Sequence, residues 1–191
     1  MVYTIYETNC IVFDIKNSGE DDCLIKAFSD KFGIINIIAK SFRKSTSKLK
    51  SNIKPFSINR IAIVKGKEFF RLTDTENLFV FSGSKSIVQF LRIIEDLFWS
   101  DERDYFDDIN TDIYNMIIHL CKLIIYIVKN GNQKVYLNMI NMFFTVYIRG
   151  LQGFTDKLDI SEMKRIKDDE LLKWLENNQI NIADLYKKIK I

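Results

Sequence analysis

The sequence is poor in the residues that most catalytic and metal sites require. Its 191 residues include one histidine, one proline and three cysteines. A single histidine excludes a His-rich metal site and the H-E-x-x-H motif, and no G-x-x-x-x-G-K-[ST] loop is present for nucleotide phosphates. The histidine, His119, lies inside an apolar run, which favours a buried or half-buried role over a Ser/His/Asp triad. We therefore predict no catalytic residue, no metal and no cofactor, and expect that the protein is not an enzyme.

The three cysteines, Cys10, Cys23 and Cys121, are far apart in sequence and show no C-x-x-C spacing. Each lies in an apolar run, as is typical of free thiols that act as small core residues in a reducing compartment. Long hydrophobic runs are also missing: the longest, residues 123–128, is far below the roughly twenty residues that span a bilayer. Residues 1–8 alternate polar and apolar side chains, unlike a secretory leader. We expect a cytoplasmic protein without a membrane segment.

Positive charge is concentrated in one part of the chain. Residues 40–71, the basic segment, contain ten lysines and arginines and one acid, whereas the whole chain carries only +3. The remaining 18 basic and 24 acidic residues therefore sum to −6. A gathered positive field indicates a polyanionic partner, and a merely solvated lysine-rich surface is the alternative.

The first 80 residues have the pattern of a small β-barrel. Five runs rich in β-branched and aromatic residues predict strands at 10–16, 23–29, 34–40, 55–64 and 68–74. Gly19, Gly33 and Gly66 are expected to supply positive φ in the turns, and Pro55 precedes the fourth strand, where a missing N–H does little harm. Five antiparallel strands with a long insertion after the third indicate an oligonucleotide/oligosaccharide-binding (OB) barrel, although other small barrels share this count.

Beyond residue 81 the apolar period becomes helical. Ser84 or Ser86 is expected to cap a helix that ends near residue 100, and further helices are predicted at 112–129, 134–149, 168–177 and 182–189. Gly131 and Gly150 are expected to end the second and third of these. Residues 95–112 are strongly acidic, which favours a solvated connector, with a carboxylate metal site as the alternative. The predicted class is α+β, with an OB domain at 1–80 and an all-helical domain at 81–191.

Several short motifs in the barrel resemble one protein family. They are Gly19-Glu20 with Asp22, then Ile38-Ala39-Lys40-Ser41-Phe42-Arg43-Lys44-Ser45, Ser47-Lys48-Leu49-Lys50, Pro55-Phe56-Ser57, Val64-Lys65-Gly66-Lys67 and Leu72-Thr73-Asp74-Thr75-Glu76. Together they resemble the N-terminal domain of the bacterial recombination mediator RecO. The resemblance implies an OB barrel followed by helices, in a protein that binds single- and double-stranded DNA, anneals complementary strands, engages the acidic tail of single-stranded DNA-binding protein, and works with RecR to load RecA. A nucleoid-associated location in the cytoplasm follows.

The sequence departs from this family at two points. The family usually has glycine where this chain has Ser41. Many members also carry a four-cysteine zinc module in the helical domain, whereas residues 153–191 contain no cysteine. We therefore expect a short, zinc-free member of the family.

Annealing requires cations that contact phosphate without covering the edges of the bases. We expect these contacts from six residues of the basic segment: Lys40, Arg43, Lys44, Lys48, Lys50 and Lys54. Phe42 is expected either to stack on a base or to close the barrel end. Arg60 and Arg71, inside strands, face either DNA or solvent. The alternative function is a protein-interaction module whose basic loop binds an acidic peptide tail.

Overall fold

The structure is a computed structural model that describes residues 4–81, 84–99, 110–130, 133–152 and 168–189. Its N-terminal part is a closed five-stranded barrel with the strand order β1-β2-β3-β5-β4. The strands are β1 (Ile5–Ser18), β2 (Asp22–Ser29), β3 (Gly33–Ala39), β4 (Ser57–Lys65) and β5 (Phe70–Val80). All the elements that the structure describes after β5 are helices. The predicted α+β class, an OB barrel followed by helices, is confirmed.

The first strand closes the barrel because it pairs with two neighbours. Its N-terminal half pairs with β4 in the register Ile5↔Val64, and its C-terminal half pairs with β2 as far as Ser18↔Asp22. The parallel contact of β3 with β5 is short, with only two pairs, Ile37↔Phe70 and Ile38↔Arg71. Strands β1 and β5 are longer than predicted because their outer ends, residues 5–9 and 75–80, pair along β4.

The turns agree with the sequence at two of the three glycines. Gly19 and Gly33 have φ of 70° and 65°, as predicted. Gly66 is not among the positive-φ glycines, so the prediction for that turn is wrong. A glycine is needed there for another reason, because a Cβ atom on Gly66 would lie 2.4 Å from the carbonyl oxygen of Phe69.

The barrel core follows the alternation of the strands. Buried side chains come from every second position, and two more, Phe42 and Ile53, come from the segment between β3 and β4. That segment also contains a single helical turn, α1 (Leu49–Asn52), which the sequence did not predict. Because Phe42 and Ile53 are anchored in the core, the polar residues between them are held at the surface.

The long helices are α2 (Lys85–Trp99), α3 (Asn110–Asn130), α4 (Gln133–Leu151), α5 (Asp168–Asn177) and α6 (Gln179–Ile189). The hydroxyl of Ser84 accepts a hydrogen bond from the Ile87 N–H at 3.4 Å, which confirms Ser84 as a cap of α2. Helix α4 runs through Gly150, so that glycine is not its end. The predicted stop at Gly131 lies outside the described residues.

The described residues form two compact units. One contains the barrel, α2 up to Arg92 and α3 up to Met116; the other contains the rest of α2 and α3 together with α4, α5 and α6. In the first unit, Thr111 Oγ1 donates a hydrogen bond to the Asp30 carbonyl at 2.9 Å, so the first turn of α3 rests on the β2–β3 turn. The division into domains 1–80 and 81–191 stays a prediction.

Helix α3 bears on the expectation about membrane segments. Over Asn110–Lys129 it is long and apolar enough to cross a bilayer by length and composition, and half of that window is buried inside the protein. Counting uninterrupted apolar residues missed this length because Lys122 interrupts the run. The buried core helix of a soluble protein passes the same test, so this helix does not by itself indicate a membrane.

Candidate nucleic-acid interface

All ten cations of the basic segment are exposed. They begin at the end of β3, continue through the segment that contains α1, and resume on β4, the β4–β5 hairpin and β5. The buried residues of the same region alternate with them or anchor the intervening segment, as at Phe42 and Ile53. The fold therefore turns a charge-rich stretch of sequence into a charged surface.

The β1–β2 turn contacts the start of this surface. Lys40 Nζ lies 2.5 Å from Asp22 Oδ2, and the Ser41 N–H donates to Asp22 Oδ1 at 2.8 Å. The hydrogen bond from Lys40, followed by the one from the Ser41 backbone, lowers the pKa of Asp22 below its ordinary value. Asp22 is therefore ionised at neutral pH and joins two consecutive residues of the basic segment to the barrel.

Arg43 and Lys44 contact the same turn. The Arg43 guanidinium donates to the Glu20 carbonyl at 2.9 Å, and its backbone N–H donates to the Asp21 carbonyl at 2.8 Å. Lys44 Nζ lies 3.5 Å from Asp21 Oδ2. Three of the six predicted phosphate contacts, Lys40, Arg43 and Lys44, are thus gathered against one acidic turn. Glu20, Asp21 and Asp22 lie between the first two predicted strands, and no role in positioning cations was predicted for them.

The other three predicted contacts lie further along the segment. Lys48, Lys50 and Lys54 are exposed, and within the described residues none of them makes an ion pair. Lys48 and Lys50 flank the start of α1, and Lys54 follows its end. These three are the predicted cations whose charge is least compensated.

A groove of about 720 Å³ opens beside the start of the basic segment. Its aliphatic lining comes from Ile5, Leu49, Val64 and Leu72, and the cations at its wall are Lys40, Lys65 and Arg71. Arg71 was expected to face either DNA or solvent, and no role was predicted for Lys65. The register pair Val64↔Arg71 explains the omission, because it brings together residues on two strands whose pairing the sequence does not specify.

Arg60, the other arginine inside a strand, has a nearby counter-ion. Its guanidinium lies 2.9 Å from Glu76 Oε2, directly across the β4–β5 pair. Arg60 therefore contributes less net charge to this surface than Arg71 does.

Comparison with known families covers the barrel. Residues 1–81 match the family model described as "Recombination protein O N terminal". The barrel is therefore similar to the N-terminal domain of RecO proteins. This confirms the family that the sequence motifs indicated, for the part of the chain that carries them.

Several proteins named DNA repair protein RecO are similar to the same region. The protein of Alkaliphilus metalliredigens is 30% identical over 85 residues, which are 44% of this chain and 35% of that protein. For Synechocystis sp. the identity is 32% over 78 residues, with coverages of 41% and 29%. For Clostridium kluyveri it is 31% over 109 residues, with coverages of 57% and 38%. The chain thus covers about a third of the length of these curated relatives.

The position at which this barrel departs from the glycine usual in the RecO family is conformationally special. Ser41 has φ of 53°, in the left-handed region that glycine adopts without penalty. The chain follows the glycine-type path with a serine, and the hydrogen bond from its N–H to Asp22 stabilises that path. The next residue, Phe42, is only 6% exposed, so it closes the barrel core, and its predicted alternative role in base stacking is wrong.

The remaining candidate groups of the sequence analysis are mostly buried. Cys10, Cys23 and Cys121 are free and buried, as predicted, and burial raises the pKa of each thiol. Within the described ranges, no group of three or more histidine, cysteine, aspartate or glutamate side chains could hold a metal ion. Of the acidic connector at 95–112, residues 100–109 lie outside the described residues.

Proposed function

We propose that this protein binds single- and double-stranded DNA through the basic segment and acts in recombinational DNA repair. The observation that carries the proposal is the exposure of all ten cations of residues 40–71 on a barrel of the RecO N-terminal type. The rest of the chain sums to −6, so a polyanion is attracted to this face in particular.

Strand annealing is the activity proposed for this surface. Six cations of the basic segment have long side chains exposed at the surface, where each neutralises phosphate and leaves the base edges open. They are Lys40, Arg43, Lys44, Lys48, Lys50 and Lys54. Two strands held in this way repel each other less and keep their pairing edges available. Binding of this kind is insensitive to base sequence.

The groove adds a preference for unpaired strands. Its aliphatic lining accepts the apolar face of a base, while Lys65 and Arg71 at its wall reach the adjoining phosphates. A base enters such a groove only when it is not stacked within a duplex. We therefore assign the groove to the single-stranded form of the substrate.

The wider proposed role is that of a recombination mediator in the cytoplasm, associated with the nucleoid. It engages the acidic tail of single-stranded DNA-binding protein, cooperates with RecR and loads RecA, and it acts by binding without catalysing a reaction. These partners rest on the resemblance of the barrel to the RecO domain, which extends over about a third of each relative.

A salt titration tests the proposal. Six contacts to single-stranded phosphate predict that log K falls with log[salt] with a slope of about −4, at about −0.7 per contact. The probe is a labelled oligo-dT longer than the roughly 4–16 nucleotides covered by one OB barrel, with a mixed-sequence oligonucleotide as the control for base preference. Affinity independent of salt would exclude a phosphate-contacting interface, and affinity confined to one sequence would exclude the proposed sequence-independent binding.

The second candidate is an interaction module that binds an acidic peptide, and the same groove favours it. Aliphatic residues flanked by Lys40, Lys65 and Arg71 suit a peptide with carboxylates beside a bulky apolar side chain. Separate binding measurements with each ligand distinguish the two functions. An acidic peptide that binds while oligo-dT does not would favour the interaction module. Binding of oligo-dT in the absence of any peptide favours the nucleic-acid function.

A further inference from the structure

Two adjacent carboxylates, Asp21 at the end of the β1–β2 turn and Asp22 at the start of β2, hold the basic segment in different ways. Asp22 contacts both the Lys40 ammonium and the backbone N–H of Ser41, and its side chain is 22% exposed. Asp21 makes a single contact through its side chain, the 3.5 Å ion pair with Lys44, and 47% of that side chain is exposed. The contacts of Asp22 therefore hold the backbone at Ser41, whereas the contact of Asp21 only compensates the charge of Lys44.

We propose that these carboxylates act in opposite directions on nucleic-acid binding: Asp22 positions the start of the basic segment, and Asp21 is an internal counter-ion that phosphate displaces from Lys44. The inference rests on the proposed function and adds to it the means by which the turn sets the affinity of the basic surface.

The positioning role of Asp22 follows from what it contacts. Ser41 has a left-handed backbone and is followed by Phe42, which is anchored in the core. The hydrogen bond to Asp22 therefore helps to hold the chain where it leaves β3, and the ion pair directs the Lys40 ammonium. Loss of both contacts releases the segment from this geometry, so its cations no longer meet phosphate in one arrangement.

The counter-ion role of Asp21 follows from the weakness of its contact. The Lys44 side chain is 52% exposed, and an exposed ion pair of this kind contributes little because water screens it. A phosphate oxygen carries the same charge as the Asp21 carboxylate and replaces it without moving the backbone. Arg43, in contrast, is held by the neutral carbonyl groups of Glu20 and Asp21, so its charge is not compensated by these contacts.

Three alanine variants of the same turn test the proposal: Glu20→Ala, Asp21→Ala and Asp22→Ala. Each removes one negative charge, and Glu20 is the matched control because its side chain is exposed and makes no ion pair in the described part of the chain. If net charge alone mattered, all three variants would bind oligo-dT equally more tightly than the parent. We expect instead that D21A binds up to about fivefold more tightly than E20A, with a salt slope steeper by about 0.7. D22A should bind several-fold more weakly than E20A, with a shallower slope.

The conservative variant separates positioning from folding. Asp22→Asn keeps an oxygen that accepts from the Ser41 N–H, so D22N should recover part of the affinity that D22A loses. Amide hydrogen exchange without nucleic acid gives an independent reading: exchange at Ser41 and Arg43 should accelerate in D22A and stay unchanged in D21A and E20A.

Each half of the proposal has its own contrary result. D21A binding like E20A would overturn the counter-ion role, and D22A binding as tightly as E20A would overturn the positioning role. If the parent fails to bind oligo-dT, the proposed function fails and the counter-ion role falls with it. The exchange rates still decide the positioning role in that case, because unchanged exchange in D22A overturns it.

Discussion

At the scale of single residues, Ser41 shows how a local backbone requirement is met by an unfavourable side chain. Its φ of 53° places the backbone in the left-handed region, where the Cβ atom of any residue other than glycine causes steric strain. The hydrogen bond from its N–H to Asp22 offsets part of this cost.

We predict that Ser41→Gly stabilises the protein by about 0.5–1 kcal/mol, because glycine relieves the strain and loses part of the gain to its greater freedom in the unfolded chain. Urea unfolding measures the change. Ser45→Gly is the control, since Ser45 is exposed in the same segment and is not among the positive-φ residues. A destabilised S41G variant would contradict the assigned backbone conformation.

Asp22 predicts a dependence of stability on pH. Its pKa in the folded protein is below the ordinary 3.8 because of the Lys40 and Ser41 hydrogen bonds. A lowered pKa contributes stability above the unfolded value, and that contribution is lost as pH falls through the folded value. The stability difference between the parent and Asp22→Asn should therefore be constant near neutrality and shrink below about pH 4.

Unfolding by urea at a series of pH values measures this difference. Glu20→Gln removes a neighbouring carboxylate that makes no ion pair in the described residues, so it serves as the control. A difference between parent and D22N that persists unchanged into strong acid would show that the Asp22 carboxylate does not act through its charge.

At the scale of elements, the sequence predicted the periodic parts of the fold well. Alternation located all five strands, and the 3.6-residue period located the long helices. It missed the outer ends of β1 and β5, because those residues are ordered by pairing with β4 and their apolar side chains, such as Ile5 and Phe79, are exposed instead of alternating into the core. It also missed the single turn of α1, which is too short to show a period.

The residues of the candidate interface were predictable from the sequence, but the acidic residues with which they form ion pairs were not. Counting charges identified the basic segment, and the structure places all its cations at the surface. The partners of Lys40 and Lys44 lie across the β1–β2 turn, and Lys40 and Asp22 are 18 positions apart in sequence. Such contacts depend on strand register, which the sequence specifies only through the whole barrel.

We predict that reversing the charge of two lysines at α1 weakens the binding of oligo-dT. Lys48→Glu with Lys50→Glu replaces two exposed cations that make no ion pair in the described residues, so folding should be unaffected. Affinity for oligo-dT should fall about tenfold or more, and the salt slope should become shallower by about 1.4. Fluorescence titration at several salt concentrations measures both quantities.

The matched control lies in the helical part of the chain. Lys122→Glu with Lys173→Glu makes the same change in net charge at exposed positions on α3 and α5. It should weaken binding far less than the variant in the basic segment. Equal losses in the two double variants would mean that only total charge matters and that the basic segment is not the interface.

At the scale of the whole molecule, we predict that the protein contains no stoichiometric zinc. Its cysteines are buried, and their raised pKa values disfavour the thiolate form that binds metal. Elemental analysis should find well under one zinc per chain, and a strong chelator should leave the helical circular dichroism signal unchanged. One zinc per chain would instead require a ligand set that the described residues do not contain.

The double pairing of β1 also has a consequence for how the barrel forms. Its pairs with β2, and those of β2 with β3, join neighbouring stretches of chain, whereas Ile5 meets Val64 only after nearly all the barrel sequence has been made. Contacts between distant positions form slowly, because the intervening chain must lose entropy before they are gained. We therefore expect the three-stranded meander to form before closure, and the last step to add β4 and β5, which carry the later cations of the basic segment, to the barrel. The groove lined by Ile5 and Leu72, with Lys40, Lys65 and Arg71 at its wall, requires residues from both ends of the barrel sequence, so it is complete only once the barrel has closed.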